Sequence, residues 1–187
     1  LNGIESAASA GLKIKINTVA LKDKNEHEII DILKWAHSNN HDMTIIETMP
    51  LGEIDYERTD QFLPVSKVKE NLEKHFTLIK SSHYTGGPSR YFEILETGNK
   101  VGFITPLTHN FCELCNRVRL TCTGKLYMCL GKEDSADFVQ ASRSSNWKEE
   151  IRKTILEAIS RKPKGHDFVI RRKHSPSVSR HMSVTGG

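Results

Sequence analysis

The residues best suited to chemistry in this chain are three cysteines with two arginines between them. Cys112 and Cys115 form a C-x2-C pair, Cys129 follows, and Arg117 and Arg119 lie between the second and third cysteines. Three thiolates leave a four-ligand metal centre one protein ligand short. The arginines add positive charge and hydrogen-bond donors beside that open position. The pattern therefore predicts a metal site at which substrate binds.

Two kinds of metal site are compatible with these cysteines. A structural zinc site needs four protein ligands, so zinc would require His109 or another histidine as the fourth. A four-iron four-sulfur cluster held by three cysteines instead leaves one iron free for substrate. The spacing favours the cluster, and a zinc-stabilised binding module without catalysis stays open as the alternative.

The residues on either side of the turn after Arg119 are typical of two antiparallel strands. A two-residue loop between them would place both arginines on the face opposite Cys129. A three-residue loop ending at Gly124 would instead pair Arg117 with Cys129 and Arg119 with Tyr127. Glycine suits the left-handed last position of such a loop, so we predict the three-residue loop, with both arginines on the metal side.

Other segments accompany the cysteine run in a fixed order, and together they resemble the GTP 3′,8-cyclases. These are radical SAM enzymes that perform the first step of molybdenum cofactor biosynthesis. The resemblance covers nearly the whole chain. It is carried by GLKIKIN at 11–17, KNEHEI at 24–29, IIETMPLG at 45–52, GGPSRYF at 86–92, CLG at 129–131 and the terminal Gly186-Gly187.

The resemblance implies an enzyme that converts GTP to 3′,8-cyclo-7,8-dihydro-GTP, for use by a cyclic pyranopterin monophosphate synthase. It implies a 4Fe-4S cluster on Cys112, Cys115 and Cys129, and S-adenosylmethionine in contact with Met49. The implied GTP-binding residues are Lys15, Arg117, Val118 and Arg119. Gly186 and Gly187 are implied to enter the active site, where the lack of side chains permits close backbone approach.

Two of these residues have plainer interpretations when they are considered alone. Lys15 alternates with apolar residues on a predicted strand, and a lysine inside a barrel is costly unless it meets an anion. Exposure at the strand end is the alternative. Met49 alone would be a core residue, although barrel active sites form at that end of a strand. Thr44 stands where many family members have an arginine.

One large departure separates the chain from the family. The complete enzymes hold a second 4Fe-4S cluster on a C-x3-C-x2-C motif that cleaves S-adenosylmethionine. All four cysteines here lie between residues 112 and 129, so that motif is absent. We therefore expect the chain to be the C-terminal part of a longer enzyme and to be inactive alone.

The pattern of apolar residues predicts an α/β fold. Residues 1–62 are predicted to be the C-terminal portion of a partial TIM-type barrel, with strands at 12–21 and 43–49 and a helix capped by Asn25 between them. Residues 63–187 are predicted to form an α+β cluster-binding domain. It would contain a helix capped by Ser66, β-hairpins, and a helix from Asn146 with Glu149 in a capping box.

Composition limits the compartment and the partners. Thiols confined to one short stretch argue against a secreted disulfide scaffold, and no long apolar run appears. The predicted setting is a reducing cytoplasm, without nucleic acid or membrane. The net charge of +4 is mild.

Association, for example as a homodimer, is expected from the edge of a cut barrel. The basic segment from Lys162 to Arg180 is predicted to be a solvated tail.

Overall fold

The computed structural model describes residues 1–54, 57–109 and 111–185. The chain divides into two compact units: Leu1–Thr48 with Thr59–His109, and Met49–Arg58 with Asn110–Gly187. Residues 63–109 thus lie in the same unit as residues 1–48, and the predicted domain boundary after residue 62 stays a prediction. Gly186 and Gly187 lie outside the described residues.

The chain up to residue 104 contains both helices and strands. They are α1 (Asn2–Ser9), β1 (Lys15–Ala20), α2 (Ile29–Ser38), β2 (Asp42–Glu47), α3 (Arg58–Gln61), α4 (Val65–Glu73), β3 (Leu78–Lys80), β4 (Arg90–Ile94) and β5 (Lys100–Ile104). The strands form one sheet in the order β1-β2-β5-β4-β3. Strands β1, β2 and β5 are parallel, whereas β5, β4 and β3 are antiparallel. This mixed sheet agrees with the predicted α/β class, and the partial barrel stays a prediction.

Helix α2 packs on the sheet through Ile29 and Leu33, which are 2% and 0% exposed. The prediction that Asn25 caps this helix is wrong. Its Oδ1 accepts a hydrogen bond from the Leu21 N–H at 2.9 Å, and its Nδ2 donates to the Val19 carbonyl at 2.9 Å. The side chain therefore closes the turn at the end of β1, and the helix begins only at Ile29.

The start of α4 also differs from the prediction. The helix begins at Val65, which follows Pro64 in an extended conformation, so Ser66 is inside the helix and is not its cap. Val65 is 1% exposed and belongs to the core of the first unit, so the first turn of α4 packs against that core. A proline before the first helical residue has a fixed φ that suits this entry.

A buried carboxylate fixes the loop that follows β5. Glu47, at the end of β2, is fully buried. One of its oxygens accepts the N–H groups of Leu107 and Thr108 at 2.9 and 3.1 Å, and the other accepts the Thr108 hydroxyl at 3.1 Å. Burial of a carboxylate is tolerated when its oxygens are hydrogen-bonded in this way. Glu47 thus ties the 105–109 loop to the end of the parallel sheet.

The second unit has a smaller sheet and core. Its elements are a 3-10 turn (Cys112–Leu114), β6 (Arg119–Leu120), β7 (Lys125–Tyr127), β8 (Ser135–Asp137), α5 (Val139–Arg143), α6 (Trp147–Ser160) and a 3-10 turn (Met182–Thr185). The strands are antiparallel in the order β6-β7-β8. The buried cluster consists of Leu126, Met128, Ala136 and Ala158.

Helix α6 begins after Asn146, as predicted, but without the predicted capping box. The Asn146 side chain makes no capping hydrogen bond, and Glu149 instead faces Arg152 at 3.4 Å. On this helix Trp147 and Ile159 are each 48% exposed, while Ala158 is fully buried. No helix among the described residues is long and apolar enough to cross a membrane.

His37 of α2 gives the first unit a pH-dependent stability. Its side chain is 7% exposed, Nδ1 lies 2.7 Å from the Thr97 hydroxyl, and Nε2 is buried without a hydrogen-bond partner among the described residues. Burial lowers the pKa of His37 from its ordinary value of 6.5, against the raising effects of Lys100 and Asp42. The folded protein therefore favours the neutral ring.

We expect the melting temperature to fall as the pH is lowered from about 7.5 to 5.5. The reason is that the unfolded chain binds a proton at His37 more readily than the folded chain does. The stability is fully present above the unfolded pKa and is lost as the pH falls through the folded value. Thermal melts of His37→Gln should show a shallower pH dependence than the unmodified chain. The exposed His75→Gln is the matched control, and a slope in His37→Gln equal to that control would contradict the assignment.

Candidate metal and anion site

The first two cysteines are held together by a short turn. Cys112 begins the 3-10 turn, and the Cys115 N–H donates to the Cys112 carbonyl at 3.0 Å. Both side chains are half-buried, as is that of Cys129, which follows β7. A C-x2-C pair thus obtains its compact geometry from local backbone hydrogen bonds.

The register of β6 and β7 confirms the three-residue loop. Arg119 pairs with Tyr127. The Gly124 N–H donates to the Thr121 carbonyl at 3.0 Å, and Gly124 has a φ of +78°. The Thr121 N–H donates to the Lys125 carbonyl at 2.9 Å and closes the loop. The side chain of Arg119 is therefore on the same face of the ladder as that of Tyr127.

Pairing of Arg117 with Cys129 lies beyond the last residue pair of the ladder and stays a prediction. The loop itself contains Cys122, which is exposed. Its position in the turn agrees with a role as a small loop residue.

The three half-buried thiols share one electrostatic neighbourhood. Burial raises the pKa of Cys112, and repulsion from Cys129 and Cys115 raises it further. A hydrogen bond from the His166 backbone and the charge of Lys162 act in the opposite direction. Ionisation of Cys112 is thus disfavoured by both of the other thiolates.

Cys115 has the opposite shift. Burial alone would raise its pKa, but the backbone and side chain of Arg117 donate hydrogen bonds to the thiolate, and Lys162 adds positive charge, so the net pKa is lowered. Burial and repulsion from Arg117 lower the pKa of Arg119, whereas the Cys115 thiolate raises it. Both arginines thus lie near Cys115, and their role in binding GTP stays a prediction.

The donor set fits a metal centre bound by thiolates. Cys112, Cys115 and Cys129 are half-buried, Arg117 and Lys162 lower the pKa of Cys115, and the fourth cysteine is exposed in the turn. Among residues 1–54, 57–109 and 111–185, no three cysteine, histidine or acidic side chains converge as a formed metal site. The chemistry of the donors, rather than their final spacing, supports metal binding.

Lys15 lies in the first unit, exposed on the edge strand β1. Its Nζ donates to the Tyr91 hydroxyl at 3.1 Å. Burial raises the pKa of Tyr91, but hydrogen bonds with Thr85 and Lys15 act in the opposite direction, and the pKa is lowered overall. An exposed ammonium group anchored to a tyrosine can still bind an anion with its other N–H donors.

The remaining predicted residues are less informative. Met49 is half-buried two residues after β2, and its carbonyl accepts a hydrogen bond from Arg58 at 3.1 Å. Val118 is 41% exposed between the two arginines. Thr44 is fully buried in β2, and its hydroxyl has no partner among the described residues.

The prediction of a solvated tail from Lys162 to Arg180 is wrong. Val178 is 3% exposed, and the Gly52 N–H donates to its carbonyl at 3.0 Å. The Arg180 guanidinium is almost fully buried and stacks on Tyr127 at 4.1 Å. Its Nη2 donates to three carbonyls in the loop after β7, those of Cys129, Leu130 and Lys132, at 3.3, 2.9 and 2.6 Å.

We expect Arg180→Ala to destabilise the chain by on the order of 3 kcal/mol, because it removes charged hydrogen bonds and ring contact at a buried position. The exposed Arg152→Ala, which removes only a surface ion pair with Glu149, should change stability by about 0.5 kcal/mol or less. Urea unfolding of the two variants compares these effects directly. Equal midpoints would show that Arg180 does not anchor the tail.

Sequence reasoning missed three residues near the cysteines: Lys162, His166 and Arg180. All three lie in the irregular basic segment. Their positions depend on how that segment folds back, and no periodicity or turn signal in the sequence marks such a path.

The chain is similar to known proteins over its whole length. The Molybdenum Cofactor Synthesis C family model matches residues 41–168. The whole chain is also similar to proteins named GTP 3′,8-cyclase. It is 61% identical to that of Mesorhizobium japonicum, 60% to that of Brucella ovis and 58% to that of Sinorhizobium medicae, and it covers 57%, 55% and 54% of their lengths. The chain thus spans about half the length of these curated relatives and matches their C-terminal part.

These matches confirm the resemblance found in the sequence. The chain belongs to the Molybdenum Cofactor Synthesis C family.

Proposed function

We propose that this chain is the cluster- and GTP-binding part of a radical SAM GTP 3′,8-cyclase, which converts GTP to 3′,8-cyclo-7,8-dihydro-GTP. The observation that carries the proposal is the position of Arg117 and Arg119 beside the half-buried thiol of Cys115, with Cys112 and Cys129 within electrostatic range of each other. The similarity to proteins named GTP 3′,8-cyclase supports it independently.

Each residue at this site has a role that its chemistry suits. Cys112, Cys115 and Cys129 would hold a 4Fe-4S cluster, which supplies one iron with a position open to substrate. Arg117 and Arg119 would bind GTP through charge-assisted hydrogen bonds, which are strong in a partly buried site. Val118 lies between them and would contact the nucleotide through its exposed side chain. Fixing the nucleotide in one orientation is the contribution of the protein to a reaction at a single C–H bond.

Other groups would complete the site in the whole enzyme. Lys15 would bind the triphosphate, Met49 would contact S-adenosylmethionine, and the Gly186-Gly187 tail would approach the reacting nucleotide. Strands β1 and β2 would be the last strands of a partial TIM-type barrel. We further propose a reducing cytoplasm as the setting, because four cysteines confined to residues 112–129 do not suit a secreted disulfide scaffold. A cyclic pyranopterin monophosphate synthase would use the product.

We expect this chain alone to form no cyclised nucleotide and no deoxyadenosine from GTP and S-adenosylmethionine. The second cluster, which cleaves S-adenosylmethionine, needs three further cysteines, and all four cysteines here lie between residues 112 and 129. Chromatography of the anaerobic reaction mixture checks this expectation. Detection of deoxyadenosine would contradict the assignment of that step to another part of the enzyme.

The proposal itself is tested by anaerobic reconstitution with iron and sulfide, followed by metal analysis and equilibrium dialysis with GTP. About four irons per chain and saturable GTP binding are expected from a three-cysteine cluster with an open position. Stoichiometric zinc without iron uptake would favour the zinc-stabilised binding module instead.

A further inference from the structure

Lys162 connects the two segments that carry the cysteines. It follows the last turn of α6, and its side chain is half-buried. Its Nζ donates to the Arg117 carbonyl at 2.7 Å and to the Met128 carbonyl at 2.5 Å. One ammonium group therefore joins backbone atoms of two different segments.

The Arg117 and Met128 carbonyls lie in parts of the two segments that the β6–β7 ladder does not include. The β6–β7 ladder ends at the pair of Arg119 with Tyr127, and both carbonyls lie beyond that pair. Arg117 is two residues after Cys115, and Met128 is the residue directly before Cys129. The bridge thus acts on the separation of these two cysteines.

The charge of Lys162 acts on the thiols as well. It is among the influences that lower the pKa of both Cys112 and Cys115. A cation beside three thiolates reduces their mutual repulsion when they gather around a metal. Since an ammonium group has three N–H donors and two are used on carbonyls, one is left for a sulfur atom or a bound anion.

We propose that Lys162 is a positioning residue of the metal site, which sets the distance between the Cys115 and Cys129 segments and places a positive charge beside the cluster. This inference rests on the proposed function, because it assumes a cluster on the three cysteines. Residues that orient metal ligands from outside the coordination shell commonly change metal affinity by about 10- to 100-fold when they are replaced.

Two variants separate the hydrogen bonds from the charge. Lys162→Met removes both, whereas Lys162→Gln removes the charge and keeps an amide with two N–H donors. The exposed Lys164→Met, two residues further along, is the matched control. Each reconstituted protein is treated with an iron chelator while loss of the cluster is followed by visible absorbance. The reduction potential of the cluster is measured by a titration monitored by electron paramagnetic resonance.

We expect Lys162→Met to lose its cluster at least about tenfold faster than the unmodified chain, with Lys162→Gln and Lys164→Met much closer to it. The reduction potential should move to more negative values in both Lys162 variants, because a nearby positive charge favours the reduced cluster, and it should stay unchanged in Lys164→Met. A purely structural role of Lys162 would not shift the potential of Lys162→Gln. Unchanged chelation rates in Lys162→Met, or unchanged potentials in both variants, would overturn the proposal.

Failure of the proposed function gives a different result. If the unmodified chain takes up no iron, the cluster assignment fails, and titration with Co²⁺ then tests the positioning role through its thiolate absorption. Weaker Co²⁺ binding in Lys162→Met than in Lys164→Met would support that role, and equal binding would overturn it. Circular dichroism of each variant verifies that the comparison is between folded proteins.

Discussion

Replacing Cys112, Cys115 or Cys129 by serine should abolish uptake of a stable cluster. The Cys122→Ser variant should instead retain the iron content of the unmodified chain. Cys112, Cys115 and Cys129 are each half-buried, and repulsion from Cys129 and Cys115 raises the pKa of Cys112. Cys122 is exposed in the three-residue loop. Loss of one thiolate from a three-cysteine centre leaves too few ligands to hold it.

Iron and sulfide analysis after anaerobic reconstitution measures this difference, and visible absorbance follows the same samples. The expected iron content is about four per chain for the unmodified protein and Cys122→Ser, and near zero for the other three. The Cys122 variant is a strong control because it removes a thiol from the same short segment. Equal losses in all four variants, or a large loss in Cys122→Ser alone, would show that the ligands have been assigned wrongly.

The sheet of the first unit was largely predictable because its signals are local and repeated. The pattern of apolar residues marked strands at 12–21 and 43–49 with a helix between them, which implied a parallel pair. What the sequence did not reveal is that β2 also pairs with β5, a strand far along the chain. Pairing between distant segments leaves no mark in the periodicity of either strand.

Predicted helix starts failed where a side chain had a stronger partner elsewhere. Asn25 has the residue type of a helix cap, yet its amide closes the end of β1. Ser66 likewise has a capping residue type, but burial of Val65 starts α4 two residues earlier than a cap at Ser66 would. Local capping is worth about 1 kcal/mol, so core packing or a second hydrogen bond can override it.

The cysteine site likewise has one feature that the sequence predicted and others that it did not. The loop at Gly124 was predictable, because a single left-handed position selects one loop length and hence the register of Arg119 with Tyr127. By contrast, Lys162 and Arg180 reach the site from an irregular basic segment that composition alone assigns to solvent. Each uses backbone carbonyls as partners. Since every residue has a carbonyl group, such contacts cannot be found from residue types.

Replacing Arg117 or Arg119 by alanine should weaken GTP binding by roughly 10- to 100-fold while leaving the iron content unchanged. Each arginine would lose charge-assisted hydrogen bonds to an anionic ligand, worth on the order of 1.5–3 kcal/mol. Arg119 is the more buried of the two, so we expect its replacement to have the larger effect. Arg119→Lys keeps the charge without the planar pair of donors and should have an intermediate affinity.

Equilibrium dialysis of GTP against cluster-loaded proteins provides the measurement, with Arg143→Ala as the matched control on the exposed end of α5. The salt dependence of GTP binding should decrease in both arginine variants, because each would lose one cation that is proposed to face the triphosphate. If both arginines instead only support the cluster, iron content and GTP affinity will fall together. If they merely face solvent, both variants will bind GTP as Arg143→Ala does, and the proposed arginine-lined nucleotide site will have to be abandoned, even though the loop register that predicted it is present.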